Sequence, residues 1–303
     1  MSFTTTVKNE LVTVSRMKTE TISELSAILR NSSEVKTNIV ISTESALLAR
    51  FIYKSIKDLY KIDIKITVRK GYNFHKNYIY LLEIKQDIKL ILNDLSFTKE
   101  IPADFLYADD DLARAYLRGV FLSSGSINDP KTSRYHLELV MDEESYASFI
   151  NSRLLKYQLN SKIIKRDNKY MVYIKEAEKI SDFLRVIKAS NAVMYYENIR
   201  IYRDKKNMTN RLNNCEQANV DKVIITADKQ LKAIEYLKKI DLFDLLDDKL
   251  KEAALYRVKY PDVSLLELSE IISLETENVI TKSGLYHRLK KIEKQAEKLR
   301  SSL

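Results

Sequence analysis

Two stretches of this chain are near copies of one another, and a duplication fixes an architecture before any other signal does. The first is Leu25-Ser26-Ala27-Ile28-Leu29-Arg30-Asn31-Ser32-Ser33; the second is Leu117-Arg118-Gly119-Val120-Phe121-Leu122-Ser123-Ser124-Gly125. Each reads as an apolar helix carrying small residues, followed by a strand pattern and a long amphipathic helix. A strand pair and a closing helix complete each copy. In the first copy Thr21-Ile22-Ser23-Glu24 has the form of a capping box opening a helix over about 21–32. A strand is expected at Asn38–Ser42 and a helix at Glu44–Tyr60. Strands at 62–68 and 78–84 follow, joined by a turn with Gly71 and Asn73, then a helix at about 86–96. In the second copy Asp111 is the expected cap of a helix over 112–124, and Asn128-Asp129-Pro130 marks a turn. A strand at 135–141, a helix at 143–158, a hairpin around Asp167-Asn168 and a helix at 176–189 complete it. Small residues at Ser26, Ala27, Gly119 and Ser123 would let the two apolar helices pack closely.

Outside the copies, a short helix is expected near Thr6–Val14, and residues 191–220 read as a polar, Asn-rich connector with Arg200, Arg203, Lys205, Lys206 and Arg211. From about 221 the pattern is helical. Helices are expected at 229–240 and 242–260, the second ended by Pro261. Ser264-Leu265-Leu266-Glu267 is a capping box for a helix to about 272, and Thr281 can cap a last helix to about Arg300. The expected domains are therefore 1–190, with repeats at about 20–97 and 103–190, then the connector 191–220 and an all-α domain at 221–303.

Charge bears on the last domain. The chain of 303 residues has a formal net charge of +9, which favours a polyanionic partner. Residues 281–300 hold seven Lys/Arg against two Glu, whereas 219–280 hold nine against thirteen Asp/Glu. On a helical wheel Leu285, Leu289, Ile292, Ala296 and Leu299 share one stripe, with Ser283, His287, Lys290, Lys291 and Lys294 turned away from it. A short helix followed by a basic one has the form of a helix-turn-helix, whose second helix reads base edges with its N-terminal residues. The candidate DNA-binding residues are Lys282, Ser283, His287, Arg288, Lys290, Lys291 and Lys294. Lys65, Arg69, Lys165 and Arg166, on basic strands of the two copies, are candidate secondary contacts; exposed lysines on edge strands are the plainer account of them. His75, His136 and His287 lie far apart in sequence, and Cys215, read as a small helix-packing residue, is the one cysteine. No disulfide, metal site or cofactor is expected from that inventory. There is no apolar run long enough to span a membrane and no secretory signal pattern, so a cytoplasmic protein is expected.

The paired helix motif resembles that of single-chain LAGLIDADG homing endonucleases. In that family a carboxylate near the end of each helix binds the catalytic metal; the matching positions here are Ser32 and Ser124. A serine hydroxyl is a poor Mg²⁺ ligand, so the resemblance implies a kept fold with lost catalysis and no enzyme. Further strings are similar to the WhiA family over nearly the whole chain. They are Tyr116-Leu117-Arg118-Gly119-Val120-Phe121-Leu122, Tyr135-His136-Leu137-Glu138, Asn210-Arg211-Leu212-Asn213-Asn214-Cys215-Glu216-Gln217-Ala218-Asn219 and Lys282-Ser283-Gly284-Leu285-Tyr286-His287-Arg288-Leu289. The resemblance implies an α+β fold: an N-terminal pseudo-twofold LAGLIDADG-like duplication and a C-terminal all-α helix-turn-helix resembling sigma-factor region 4. It implies a nucleoid-associated transcription regulator binding double-stranded DNA, tied to cell division or chromosome organisation and, in some relatives, to sporulation. The alternatives are a metal-dependent homing-type endonuclease and a scaffold that docks a protein partner on the LAGLIDADG-like domain.

Overall fold

The computed structural model describes residues 2–70, 78–97, 100–132, 134–276 and 278–301. The expected turn around Gly71 and Asn73, and His75 with it, lies outside those residues. The chain divides into two compact units, Met1–Arg203 and Asp204–Leu303.

The first unit opens with helix α1 (Phe3–Thr13), whose Phe3, Val7 and Leu11 are buried. The two copies follow with the same order of elements. The first holds α2 (Lys18–Ser32), β1 (Ser33–Val35), β2 (Ile39–Thr43), α3 (Ala46–Tyr60), β3 (Lys65–Lys70), β4 (Tyr78–Ile84) and α4 (Ile88–Asp94). The second holds α5 (Asp110–Ser124), β5 (Gly125–Ile127), β6 (Leu137–Met141), α6 (Glu144–Lys156), β7 (Lys162–Arg166), β8 (Lys169–Ile174) and α7 (Ala177–Val186). Each copy forms one antiparallel four-stranded sheet, ordered β1-β2-β4-β3 in the first and β5-β6-β8-β7 in the second. Alternation writes the inner faces: Ile39 and Ile41 on β2 are buried, as are Leu82 and Ile84 on β4. Leu137, Leu139 and Met141 on β6, with Val172 and Ile174 on β8, do the same in the second copy.

α2 and α5 form the seam of the unit. A Cβ added to Gly119 would stand 2.4 Å from the Glu24 carbonyl oxygen and 2.9 Å from the Ala27 Cβ. That approach is open only to glycine. On α2, Ser23 donates to the Leu106 carbonyl (2.7 Å) and Ser26 to the Leu95 carbonyl (2.6 Å), so the small hydroxyls also tie the helix to its surroundings. The expected capping box at Thr21 is displaced: α2 starts at Lys18, and the Met17 N–H donates to Glu20 Oε2 at 2.8 Å. Glu24, expected to cap, is instead fully buried between two guanidiniums. Arg118 of α5 bonds it from one side and Arg16 reaches it at 2.7 Å from the other. Lys188 joins the edge of this cluster, 3.2 Å from Glu20 and 3.0 Å from Asp111. Burial pushes the Glu24 carboxyl up and the two arginines oppose the shift. Asp111 is thus a partner of Lys188 and not a cap. Asp109 caps α5, accepting from the Leu112 N–H at 2.8 Å.

The stretch read as a connector is helical throughout. It belongs to α8 (Ser190–Lys239), and the division between units falls inside that helix. Cys215 is exposed on it, not packed as expected. In the second unit the end of α8 packs with α9 (Asp248–Lys259), α10 (Leu265–Thr276) and α11 (Lys282–Ser301) around Ile234, Leu237, Leu250, Leu268, Leu285 and Ile292. The second capping box is present in full. Ser264 N–H donates to Glu267 Oε2 (2.9 Å), and the Glu267 N–H donates to Ser264 Oγ (3.3 Å). Thr281 caps α11 by accepting from the Gly284 N–H at 3.1 Å. Arg257 of α9, only 1% exposed, shapes the α9–α10 turn through Nη1, which donates to the carbonyls of Val263 (2.8 Å), Tyr260 and Pro261 (both 3.3 Å).

Candidate nucleic-acid interface

Three places hold the residues singled out by the sequence. The first is the end of the α2–α5 pair. Ser32 Oγ donates to the Ile28 carbonyl at 2.6 Å and Ser124 Oγ to the Val120 carbonyl at 3.0 Å. Both hydroxyls therefore turn back onto their own helices. Ser33 and Ser123 do the same, toward Leu29 and Gly119. The nearby acids are otherwise engaged: Asp129 Oδ1 accepts from the Lys131 N–H (2.9 Å), and exposed Glu34 pairs with Lys36. Among the described residues no three His, Cys, Asp or Glu side chains gather as a metal-ligand set. Neutral hydroxyls do not suit a divalent cation, which wants anionic oxygen ligands. Beside these helix ends lies a concavity of about 810 Å³ whose walls include Thr4, Lys8, Ser32, Thr43, Ser45 and Ser123. Thr4 fastens α1 there by exchanging hydrogen bonds with the Ile127 backbone, 2.8 Å to its carbonyl and 2.9 Å from its N–H. Lys8 is half-buried, 5.8 Å from the Phe121 ring centroid, and burial lowers its ammonium to about 8.

The second place is the outer strand of each sheet. Lys65 and Arg69 on β3, and Lys165 and Arg166 on β7, are all exposed. Their strands also expose Ile66, Val68, Ile163 and Ile164. These strands are thus mixed basic and apolar surfaces. Lys165 lies over the Tyr170 ring at 5.3 Å.

The third place is α11. Its stripe of Leu285, Leu289, Ile292 and Ala296 is buried. The opposite face exposes Lys282, Ser283, His287, Lys291 and Lys294. Two candidates are drawn aside. Arg288 is half-buried and its Nη1 bonds Glu252 of α9 at 3.1 Å. Lys290 pairs with Glu293 at 2.6 Å, which raises its ammonium. Tyr286, not singled out by the sequence reading, is 43% exposed beside His287, ring centroids 5.5 Å apart. Its signal was present four residues after Lys282, on the same face.

An α+β duplication with serines at its two helix ends, followed by a helical unit that displays a basic second helix, has the form of a LAGLIDADG-like part joined to a helix-turn-helix. Residues 18–98 match the WhiA N-terminal LAGLIDADG-like domain, 113–206 the WhiA LAGLIDADG-like domain and 209–296 the WhiA C-terminal HTH domain. The chain belongs to the WhiA family. It is 39% identical to the probable cell division protein WhiA of Staphylococcus epidermidis and 38% identical to that of Oceanobacillus iheyensis. Each match covers 99% of this chain and 98% of the relative. The crystal structure of full-length DUF199/WhiA from Thermatoga maritima superposes with a TM-score of 0.60 at 27% identity over 98% of both chains. The N-terminal LAGLIDADG domain of DUF199/WhiA superposes with a TM-score of 0.51 at 28% identity, over 61% of this chain and 90% of that one.

Proposed function

We propose that this chain is a non-catalytic, sequence-specific DNA-binding regulator that acts in cell division or chromosome organisation on the nucleoid, and that α11 is its reading element. The observation that carries the reading is the polarity of α11: an apolar back buried in the unit and an outward face of Lys282, Ser283, His287, Lys291 and Lys294. Such a face meets DNA with hydrogen-bonding groups near the helix N-terminus and cations flanking them for phosphates. Lys290 and Arg288 act through their acidic partners, holding the helix, and Tyr286 extends the contacting face. The cell-division role is supported by the names of the relatives. The back-bonded serines at the α2 and α5 ends support the absence of cleavage.

The test is binding of the full chain to genomic duplexes across a salt series, with and without Mg²⁺. Each lost phosphate contact lowers the log–log salt slope by about 0.9. The expected result is sequence-selective binding without strand scission, abolished by His287→Ala together with Lys291→Ala. Mg²⁺-dependent nicking, or full binding by that double variant, would move the function to the duplicated unit. Ile66, Val68, Ile163 and Ile164 on the outer strands favour a second reading in which that unit docks a protein partner. Solvent-facing apolar side chains in a patch are a common mark of such surfaces.

A further inference from the structure

A small cavity in the second unit lies where α10 and α11 both begin. Its volume is about 180 Å³. Three cations line it, Lys222 of α8, Arg257 of α9 and Lys282 of α11, together with the hydroxyl-bearing Thr226 and Ser264; the rest of the wall is apolar. Among the described residues no acidic side chain lines it. Asp221, Asp262 and Glu267 adjoin its residues in sequence without entering the wall, and Glu267 is held by the Ser264 N–H.

Arg257 makes this more than a positive dent in the surface. The residue is buried, and its Nε has no hydrogen-bond partner. Among the described residues no carboxylate pairs with it; its Nη1 is held by three backbone carbonyls while Nε is left over, and burial lowers its pKa. A buried, unpaired charge is unfavourable unless an opposite charge arrives. Lys222 and Lys282 bring two more like charges to the same wall. The first turns of α10 and α11 add the positive ends of two helix dipoles, which favour an anion. The volume is well under the roughly 300–1,000 Å³ of pockets for drug-sized ligands. It suits one compact anion and not a whole nucleotide.

We propose that this cavity receives a single phosphate of the DNA backbone, immediately beside the segment read by α11. The inference rests on the DNA-binding reading above. Lys282 connects the two, since it lines the cavity and begins the helix whose face carries Ser283 and His287. A phosphate seated there fixes the register of α11 on the duplex without reading sequence, the usual division of labour between phosphate and base contacts.

The experiment uses the full chain and a duplex to which it binds, with backbone phosphates replaced one at a time by neutral methylphosphonates. One position is expected to weaken wild-type binding about tenfold. Lys222→Ala is expected to be insensitive at that position, with a salt slope lower by about 0.9. Thr226→Glu, which puts a carboxylate in the wall, is expected to bind more weakly than Lys222→Ala. Melting curves of both variants check that the unit stays folded. Wild-type affinity and slope in both variants, with Lys291→Ala still weakened, would overturn the phosphate site and leave the DNA reading intact. Wild-type behaviour in all three would overturn both. Inorganic phosphate is the probe for a free anion. Saturable ³¹P-detected binding that Lys222→Ala abolishes, with no methylphosphonate effect, would assign the cavity to a free ligand and overturn the DNA assignment.

Discussion

The two units dispose of their charge in opposite ways. In the first, the strongest ionic group faces inward: Glu24 lies between Arg118 and Arg16 at the seam of α2 and α5, sealed from water. In the second, the acids Glu252 and Glu293 neutralise Arg288 and Lys290 at the margin of α11 while Lys282, Lys291 and Lys294 remain exposed. The first arrangement holds two helices in one geometry; the second presents charge to a partner. The comparison shows that a duplicated fold of this kind need not lean on the residues at its helix ends for its stability. What holds the seam together is the Arg118–Glu24–Arg16 cluster and the close approach at Gly119, not Ser32 and Ser124 at its end.

The contrast can be broken most severely at Arg118. Arg118→Ala removes one of the two guanidiniums that pair with buried Glu24, leaving Arg16, and is expected to destabilise the first unit by about 3 kcal/mol or more, with little change in DNA affinity at a temperature where the protein stays folded. Urea unfolding and a binding isotherm on one sample check both halves; unchanged stability would mean the cluster is idle. The complementary change, Lys291→Ala with Lys294→Ala, is expected to lower the salt slope of DNA binding by up to about 1.8, about 0.9 for each lysine, and leave the melting temperature near that of wild type. A variant that melts early but binds normally would reverse the assignment of the two charge patterns.

Smaller effects sharpen the picture. Gly119→Ala forces a methyl against the Glu24 carbonyl and should cost about 1–3 kcal/mol, measured by denaturant midpoint. Ser264→Ala removes the α10 cap and should cost about 1 kcal/mol, read from the unfolding of the second unit. Lys8→Met should stabilise the chain at pH 7. The Lys8 ammonium sits near 8 in the folded protein against about 10.4 unfolded, so folding disfavours its charged form. That penalty is complete below pH 8 and fades as pH rises toward 10.5, because the unfolded state holds more protons across that window. The advantage of Met over Lys is therefore expected to shrink between pH 7 and pH 10 in paired melting experiments.

Local signals were legible in the sequence and distant ones were not. The Ser264–Glu267 box, the Thr281 cap and the buried stripe of α11 depend on residues three or four apart, and all are present. The order of elements in the two copies was legible for the same reason. β1 and β5 were missed because each is only three residues long and follows directly on its helix, too short for an alternation to show. The Arg118–Glu24 contact joins residues 94 positions apart, and nothing near either predicts the other; the local capping pattern at Glu24 pointed elsewhere. Residues 191–220, read as a polar connector, lie within α8 and are helical; their many Asn and charged residues masked the apolar positions Ile201, Met208 and Leu212 that a helix would space. On α11 the outward face was legible, whereas the diversion of Arg288 to Glu252, 36 residues earlier, needed the tertiary fold. The carbonyl-crowded, unpaired Arg257 gave no sequence signal at all.

The close approach at Gly119 has a mechanical consequence. With a carbonyl where a side chain would stand and a salt-bridged arginine one residue before it, α2 and α5 cannot slide or turn past each other by a fraction of a helical turn. Any displacement drives backbone into backbone or tears Glu24 from its cations. The two copies are therefore expected to move as one body at this seam, since the packed pair leaves no room for one helix to slide over the other.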